Sequence, residues 1–536
     1  MTRLQPLPAR HAPSGMVCSV DHLASSAGAD TMRRGGSAAD GAIAASAVLA
    51  VTTQHLCGLG GDLWAVVSPG PGAGVVALDA SGRAGSGADP DRLRAEGHRV
   101  VPPFGHPAAV TVPGCADGWL ALHDRFGRLP LPEVLAPARR YAEVGFPASP
   151  GLVAASSRVA GLPGAEDYRA PGGLSPGTIV RRPGVALALD AIATGDRSAF
   201  YLGVLGDDFL SVTAGEHTRA DLDRSQADWV DPVSADAWGH RIWSAPPASQ
   251  GYLTASASWI ADGFDLPHPD DPAWAHLLVE SARQASFDRP DVLFEGASGN
   301  DLLDPSRLAP RRAAIDPERA GTLGVPGDAG DTIGLCAVDS ERMGVSLVQS
   351  NASGWGSGLV VPGCRIFLHN RGRGFSLDPG HPAEYGPGRR PPHTLCPTLV
   401  TRPDGSLRIV AATMGGDAQP QILLQLLARV LAGGEDPASA VAAGRFALGA
   451  PLGPDGLPTG DGFETWTARG RVSVQVEGHA APRWVEGLRR LGHQVSPSGP
   501  WDSSFGHAHL VDVDHPSGVL CGGSDPRAAA GGVAGW

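Results

Sequence analysis

Apolar and polar positions change period several times along the 536-residue chain, and each change marks an element. Gly15 to Val20 reads as a short strand. Ser25 to Leu49 follows a helical spacing that breaks at Gly35-Gly36 and resumes in an alanine-rich run from Ala38. Asp40 falls in the first turn of that second helix, where the helix dipole favours a carboxylate. Leu63 to Val67 and Gly74 to Leu78 alternate as antiparallel strands do. From Pro113 to about Val204 the pattern is mostly helical, with loops at the Pro/Gly clusters near 145–151 and 170–176. Arg241 to Ser244 predicts a strand and Ala273 to Phe287 a helix.

Between Asp304 and Asp331 the periodicity fails, and a Pro-, Gly-, Asp- and Arg-rich stretch predicts an exposed linker over about 304–331. Strand patterns return at once, at Ile333 to Val338, Val345 to Val348, Ile366 to His369 and Leu407 to Ala412. A helix is predicted at about Gln421 to Leu431, and the chain closes through the turn-rich Gly522-Gly523-Ser524-Asp525-Pro526-Arg527. There is no internal repeat and no heptad pattern. Adjacent strands among helical blocks favour two sheets packed under helices, an α+β layered architecture.

Composition narrows the chemistry. All 42 basic residues are arginine, and 55 acidic residues leave a formal charge of −13. Neither nucleic acid nor an anionic membrane is an expected partner. Without lysine, a side-chain Schiff base, a Walker-type phosphate loop and a Ser-x-x-Lys nucleophile are all excluded. Codon bias in a GC-rich genome accounts for the absence itself, given 74 Gly and 48 Pro. The seven cysteines show no C-x-x-C pair, which argues against disulfides and structural zinc, and no metal site is expected. An N-terminus without an apolar core and the lack of an 18-residue apolar run lead to the expectation of a soluble, cytoplasmic protein.

The chemistry-bearing position is Thr332, where the linker ends and a strand begins. Cleavage of the Asp331–Thr332 bond would give one residue both a hydroxyl and a free α-amine. That amine titrates near 8 in model compounds, so it can act as base for its own hydroxyl. Neither lysine nor histidine is needed for this arrangement.

Several motifs, in order, carry a resemblance. Gly35-Gly36-Ser37-Ala38-Ala39-Asp40-Gly41-Ala42, His55-Leu56-Cys57-Gly58-Leu59-Gly60-Gly61-Asp62, Phe200-Tyr201-Leu202-Gly203, Pro246-Pro247-Ala248-Ser249 and Asp288-Arg289 come first. Asp331-Thr332-Ile333-Gly334-Leu335-Cys336-Ala337-Val338-Asp339 is the most specific. Gly356-Ser357-Gly358, Arg390-Pro391, Pro397-Thr398, Met414-Gly415-Gly416 and Gly523-Ser524-Asp525-Pro526-Arg527 follow. Together they resemble the γ-glutamyltransferase family of N-terminal-nucleophile (Ntn) hydrolases over nearly the whole chain. The resemblance implies a four-layer αββα sandwich formed jointly by two autoprocessed chains. These would be a large subunit, 1–331, and a small one, 332–536, held as a heterodimer or a dimer of heterodimers. It implies no cofactor, Thr332 as nucleophile, Ser350 as its hydrogen-bond partner, and Gly415 and Gly416 as oxyanion donors.

The chain also departs from that family where a γ-glutamyl donor is read. The family's ammonium-binding Asp is replaced by Gly374, before Phe375, and its Gln by Arg371. The family's Asn falls on Ala352 with Asn351 beside it, and its Ser-Ser pair becomes His393-Thr394. A guanidinium repels an ammonium but holds a planar carboxylate through two hydrogen bonds. The substitutions therefore point to a small anionic substrate without an amine, with Arg83 as a further carboxylate reader. Asn370-Arg371-Gly372 and Gly415-Gly416-Asp417-Ala418-Gln419-Pro420-Gln421 resemble the branch that includes oxamate amidohydrolases and homologues in antibiotic pathways building alkylproline units. Amide hydrolysis or transfer on an oxalyl-type acid is the leading reading. The alternatives are C–C hydrolysis releasing an oxalyl-type fragment, ordinary glutathione hydrolysis, and a non-catalytic unprocessed homologue.

Overall fold

The computed structural model describes residues 8–170, 172–323, 332–449, 473–513 and 517–536. Fourteen strands build two large sheets. In chain order they are β1 (Arg10–Ala12), β2 (Met16–Ser19), β3 (Asp62–Ser68), β4 (Val76–Ala80), β5 (Asp228–Val230), β6 (Val233–Ala237) and β7 (His240–Ser244). After them come β8 (Ile333–Val338), β9 (Gly344–Ser350), β10 (Thr398–Thr401), β11 (Leu407–Thr413), β12 (Ala508–Asp512), β13 (Leu520–Ser524) and β14 (Gly532–Gly535). One sheet runs β14-β2-β8-β9-β3-β4-β5 and the other β1-β13-β12-β11-β10-β7-β6. Every pairing in both is antiparallel.

Side chains alternate between two apolar layers, as the two-residue repeat of a strand requires. Ile333, Leu335, Val345, Leu347, Leu63 and Ala65 face outward into a helical layer. Cys336, Val338, Val348, Trp64 and Val66 face inward and meet Leu399, Val410, Ala412 and Val511 of the other sheet. Gly334 lets the sheets approach closely: a Cβ there would lie 2.8 Å from the Thr413 amide nitrogen.

Helices close both outer faces. On the first sheet lie α1 (His22–Arg33) and α2 (Ala38–Thr52). All of α2 is buried, as suits a helix that is apolar on every side. Asp40 does more than favour the dipole: it completes a capping box with Ser37. On the second sheet lie α3 (Tyr252–Ala261), α4 (Pro272–Ser286) and, later in the chain, a helix over Gln419–Leu427. The four layers are the expected αββα sandwich.

Two expectations need correction. The stretch predicted as linker from 304 is not linker throughout. Pro305–Ala313 is helical, capped by the Asp304 side chain and anchored by buried Leu308. Its five-residue spacing of prolines hid a helix, because Pro305 sits in the first turn, where no amide hydrogen bond is lost. The continuation at 324–331, including Asp331, lies outside the described residues. Ile366 to His369 also fails to enter a main sheet; only Ile366–Phe367 is a strand, paired with Val360–Val361 in a separate hairpin.

Candidate active site

Register places three polar side chains in a row on the face between the sheets. Ile333 pairs with Gln349, which sets Thr332 beside Ser350, and Ser350 pairs with Asp62 on β3. Thr332, Ser350 and Asp62 are all buried, at 1%, 0% and 0% exposure. The Thr332 and Ser350 hydroxyl oxygens are 3.0 Å apart. Two donors are directed at the Ser350 oxygen, the Ala352 amide at 2.8 Å and Arg371 Nη2 at 3.3 Å. Between Ser350 and Thr332 either hydroxyl can be the donor.

Arg371, His393 and Thr394 come together as expected, around a carboxylate absent from the expectation. Arg371 Nε donates to Asp62 Oδ2 at 3.1 Å, and Nη1 donates to Thr394 Oγ1 at 3.1 Å. The Leu395 amide donates to His393 Nδ1, so the His393 proton is on Nε2 and is donated to Asp62 Oδ2 at 2.6 Å. Burial and then the Arg371 charge push the imidazole down to about 4, so it is neutral near pH 7. Burial works to raise the Asp62 carboxyl, but His393 and Arg371 outweigh it and hold the group well below the usual carboxylate range. The gained guanidinium is thus accompanied by its own counter-charge. Asp62 escaped notice because it ends a glycine-rich loop whose motif value lay in its glycines.

Gly415 and Gly416 form the turn after β11. Their φ angles of +137° and +53° lie in the region that favours glycine. Among the described residues neither amide has an acceptor, so both N–H groups are left to donate. Thr332 shares a strand face with Gly334, which touches Thr413, so the turn follows directly beyond the face that carries Thr332. Two residues support it. Gln250 Nε2 donates to the carbonyls of Gly416 and Thr394, at 3.0 and 2.9 Å. Arg289 Nη2 lies 2.8 Å from Asp417 Oδ1, with both side chains buried.

Two candidate readers are used elsewhere. Arg83 Nη2 donates to Asp228 at 2.6 Å, a carboxylate it shares with Arg390. Asn351 donates to the Gln54 carbonyl and fixes the 54–61 loop. Cys336 faces the sheet interface, donates to the His509 carbonyl, and has a thiol that burial pushes well above its usual range.

His276, Glu280 and His493 form a second buried cluster with metal-ligating side chains. Its groups already have partners. His276 bonds His493 at 2.7 Å and the Asp316 carbonyl at 2.9 Å, while Glu280 receives Arg283 and the Gly321 amide. The cluster anchors segment 316–321 on α4. No helix among the described residues is long and apolar enough to cross a membrane.

The family profile described as Gamma-glutamyltranspeptidase matches residues 24–536. Oxamate amidohydrolase proenzyme of Klebsiella pneumoniae subsp. pneumoniae is 34% identical, over 96% of this chain and 98% of the relative. Glutathione hydrolase-like YwrD proenzyme of Bacillus subtilis is 33% identical, over 96% and 97%. Among solved structures, cephalosporin acylase from Bacillus halodurans superposes with a TM-score of 0.88 at 32% identity, covering 99% of this chain and 97% of that one. With its αββα sandwich, the chain belongs to the γ-glutamyltranspeptidase family and is an enzyme of the Ntn amidohydrolase and acylase type.

Proposed function

We propose that the protein cleaves itself before Thr332 and that Thr332 then forms an acyl-enzyme with the amide of a small, amine-free carboxylic acid, of which oxamate is the simplest case. In the first step the Thr332 oxygen attacks the Asp331 carbonyl, the Asp331–Thr332 C–N bond breaks as the hydroxyl proton passes to the nitrogen, and water hydrolyses the resulting ester to the Asp331 carboxylate and a Thr332 with free hydroxyl and α-amine. In turnover that amine takes the Thr332 proton as the oxygen bonds to the acyl carbon. The negative charge on the carbonyl oxygen falls to the Gly415 and Gly416 amides. The C–N bond breaks, the amine returns its proton to the departing nitrogen, and water resolves the ester to the free acid.

The observation that carries this reading is the buried Thr332–Ser350–Arg371 chain of hydrogen bonds at the face of the oxyanion turn. Arg371 has donor capacity beyond its three protein partners, and a planar carboxylate beside the scissile carbonyl suits it. Pairing with Asp62 neutralises the arginine, so recognition rests on directed hydrogen bonds more than on net charge. Similarity to a relative named for oxamate supports the choice of substrate.

The test is denaturing electrophoresis with mass spectrometry of the fragments, followed by turnover of oxamate against a γ-glutamyl anilide. Two fragments split before Thr332, with ammonia released from oxamate, support the reading. Turnover of the anilide alone overturns the substrate assignment. A single full-length band without turnover overturns the enzyme mechanism.

A further inference from the structure

Away from Thr332, the residues Glu96, His98 and His106 bring one carboxylate oxygen and two imidazole nitrogens within 4.8 Å of one another. His98 Nε2 and His106 Nε2 lie 3.8 and 3.9 Å from the same oxygen, Glu96 Oε2. The local backbone accounts for this convergence. The helix Pro90–Ala95 ends at Glu96 in a Schellman motif. Gly97 takes a left-handed φ of +91°, its amide donates to the Arg94 carbonyl, and the His98 amide returns to the Leu93 carbonyl. Glu96 and His98 are therefore presented side by side from a fixed turn. His106 ends the loop that follows and caps the turn Pro107–Ala109, its Nδ1 accepting from the Ala108 amide at 3.1 Å. Three contacts tie that loop to the segments around Arg371. Val100 pairs with Ser376, the Pro103 carbonyl accepts from Asn370 Nδ2 at 3.1 Å, and the Gly105 amide donates to the Ser357 carbonyl at 2.8 Å.

We propose that Glu96, His98 and His106 form a binding site for Zn²⁺, with water completing the coordination. Two imidazoles and a carboxylate are a Zn²⁺ ligand set, whereas Mg²⁺ and Ca²⁺ take oxygen ligands. Ligands on a tetrahedral Zn²⁺ stand roughly 3.3 Å apart, so each nitrogen has to close on the carboxylate by about half an ångström. The two imidazoles are 38% and 29% exposed and have room to do so. The surrounding charge suits a cation. Arg92 Nε approaches Glu96 Oε1 at 3.9 Å, but Arg92 also pairs with buried Glu216, so two carboxylates and one guanidinium leave one negative charge. His106 is the weakest of the three ligands. Its Nδ1 accepts a bond, so its proton is on Nε2; ligation there moves the proton to Nδ1 and gives up the bond from Ala108. An ion held here pins the 98–106 loop against the segments that flank Arg371. The site stands independently of the reading of Thr332.

The probe is Zn²⁺ itself, titrated at neutral pH into the purified, chelator-stripped protein against a chromophoric chelator. Glu96→Gln and His98→Ala are expected to weaken the tightest site by about 10-fold or more, at least the effect of losing an outer-shell partner. His106→Asn keeps a cap for the Ala108 amide and is expected to weaken it less than either. His268→Ala removes an exposed histidine beside Asp270 and should change nothing. Zn²⁺ should raise the unfolding midpoint of the unaltered protein and leave that of His98→Ala unmoved, which separates specific binding from a folding defect. A large excess of Mg²⁺ should not compete. Zn²⁺ held equally by His98→Ala and the unaltered protein overturns the proposal. Loss of the tight site in His268→Ala, displacement by Mg²⁺, or the lack of any stoichiometric site in the unaltered protein also overturns it.

Discussion

The Arg289 guanidinium stands 2.8 Å from the Asp417 carboxylate, and this buried pair braces the residue that follows Gly415 and Gly416. The two residues come from opposite sides of the predicted cut. Removing one partner leaves an uncompensated buried charge, which costs about 3–5 kcal/mol. Arg289→Met is therefore expected to lower the unfolding midpoint and to impair activity in the surviving fraction. Pairing it with Asp417→Leu should recover stability without recovering turnover. Denaturant titration and steady-state rates on the same samples check both expectations.

If the Gly415-Gly416 turn holds the oxyanion as proposed, it gives a graded prediction. Gly416→Ala forces a left-handed φ of +53°, a conformation that costs roughly 1–2 kcal/mol outside glycine. Gly415→Ala is worse, because φ of +137° is hardly accessible to an L-residue and its Cβ would lie 2.8 Å from Ile422 Cδ1. Loss of one oxyanion donor lowers kcat by about 10²–10³-fold. Both variants should lose activity on that scale, Gly415→Ala with the larger loss of thermal stability.

Ser350→Ala removes the hydroxyl that is hydrogen-bonded to Thr332 while leaving the proposed α-amine intact. The expected outcome is slow but complete self-cleavage and a kcat lower by about 10–100-fold, a scale consistent with one hydrogen bond to a charged group. Thr332→Ala should abolish both. Fragment mass and turnover distinguish the two variants.

Acid should destabilise the fold steeply. Burial is the leading cause that lowers His217, His393 and His507 to about 4 and His55, His493 and His509 to about 3. Each is neutral when folded, whereas in the unfolded chain each titrates near 6.5. Below about 6.5 the unfolded state binds more protons, so stability falls as pH falls towards 4 and is fully present above 6.5. Equilibrium unfolding at pH 7.5, 6 and 5 should show a progressively lower free energy. Replacing His217 with Phe should flatten the slope.

What could be read from sequence followed physical locality. The short apolar run at Ile333 to Val338 and the longer one from Ala38 marked their elements, because a strand or helix buried on every side reads as a continuous apolar stretch. Thr332, Ser350, Gly415 and Gly416 were legible from motif order, and Arg371, His393 and Thr394 from departures within it. Asp62 and Gln250 were not. Their roles come from partners 309 and 166 positions away, contacts that only the packed sheets create. The partner of Arg83, Asp228, lies 145 positions away and was no more legible.

Strand order has a final consequence. Residues before and after position 331 alternate within both sheets: β2 lies between β14 and β8, β9 adjoins β3, β1 adjoins β13, and β10 adjoins β7. Five ladders therefore cross between the two pieces that a cut before Thr332 would create. Prising them apart would bare a row of unpaired amides and carbonyls at every one of these seams, an open invitation to aggregation. The severed protein has no gentle route to dissociation, so its halves should melt together in a single transition and should precipitate when produced apart.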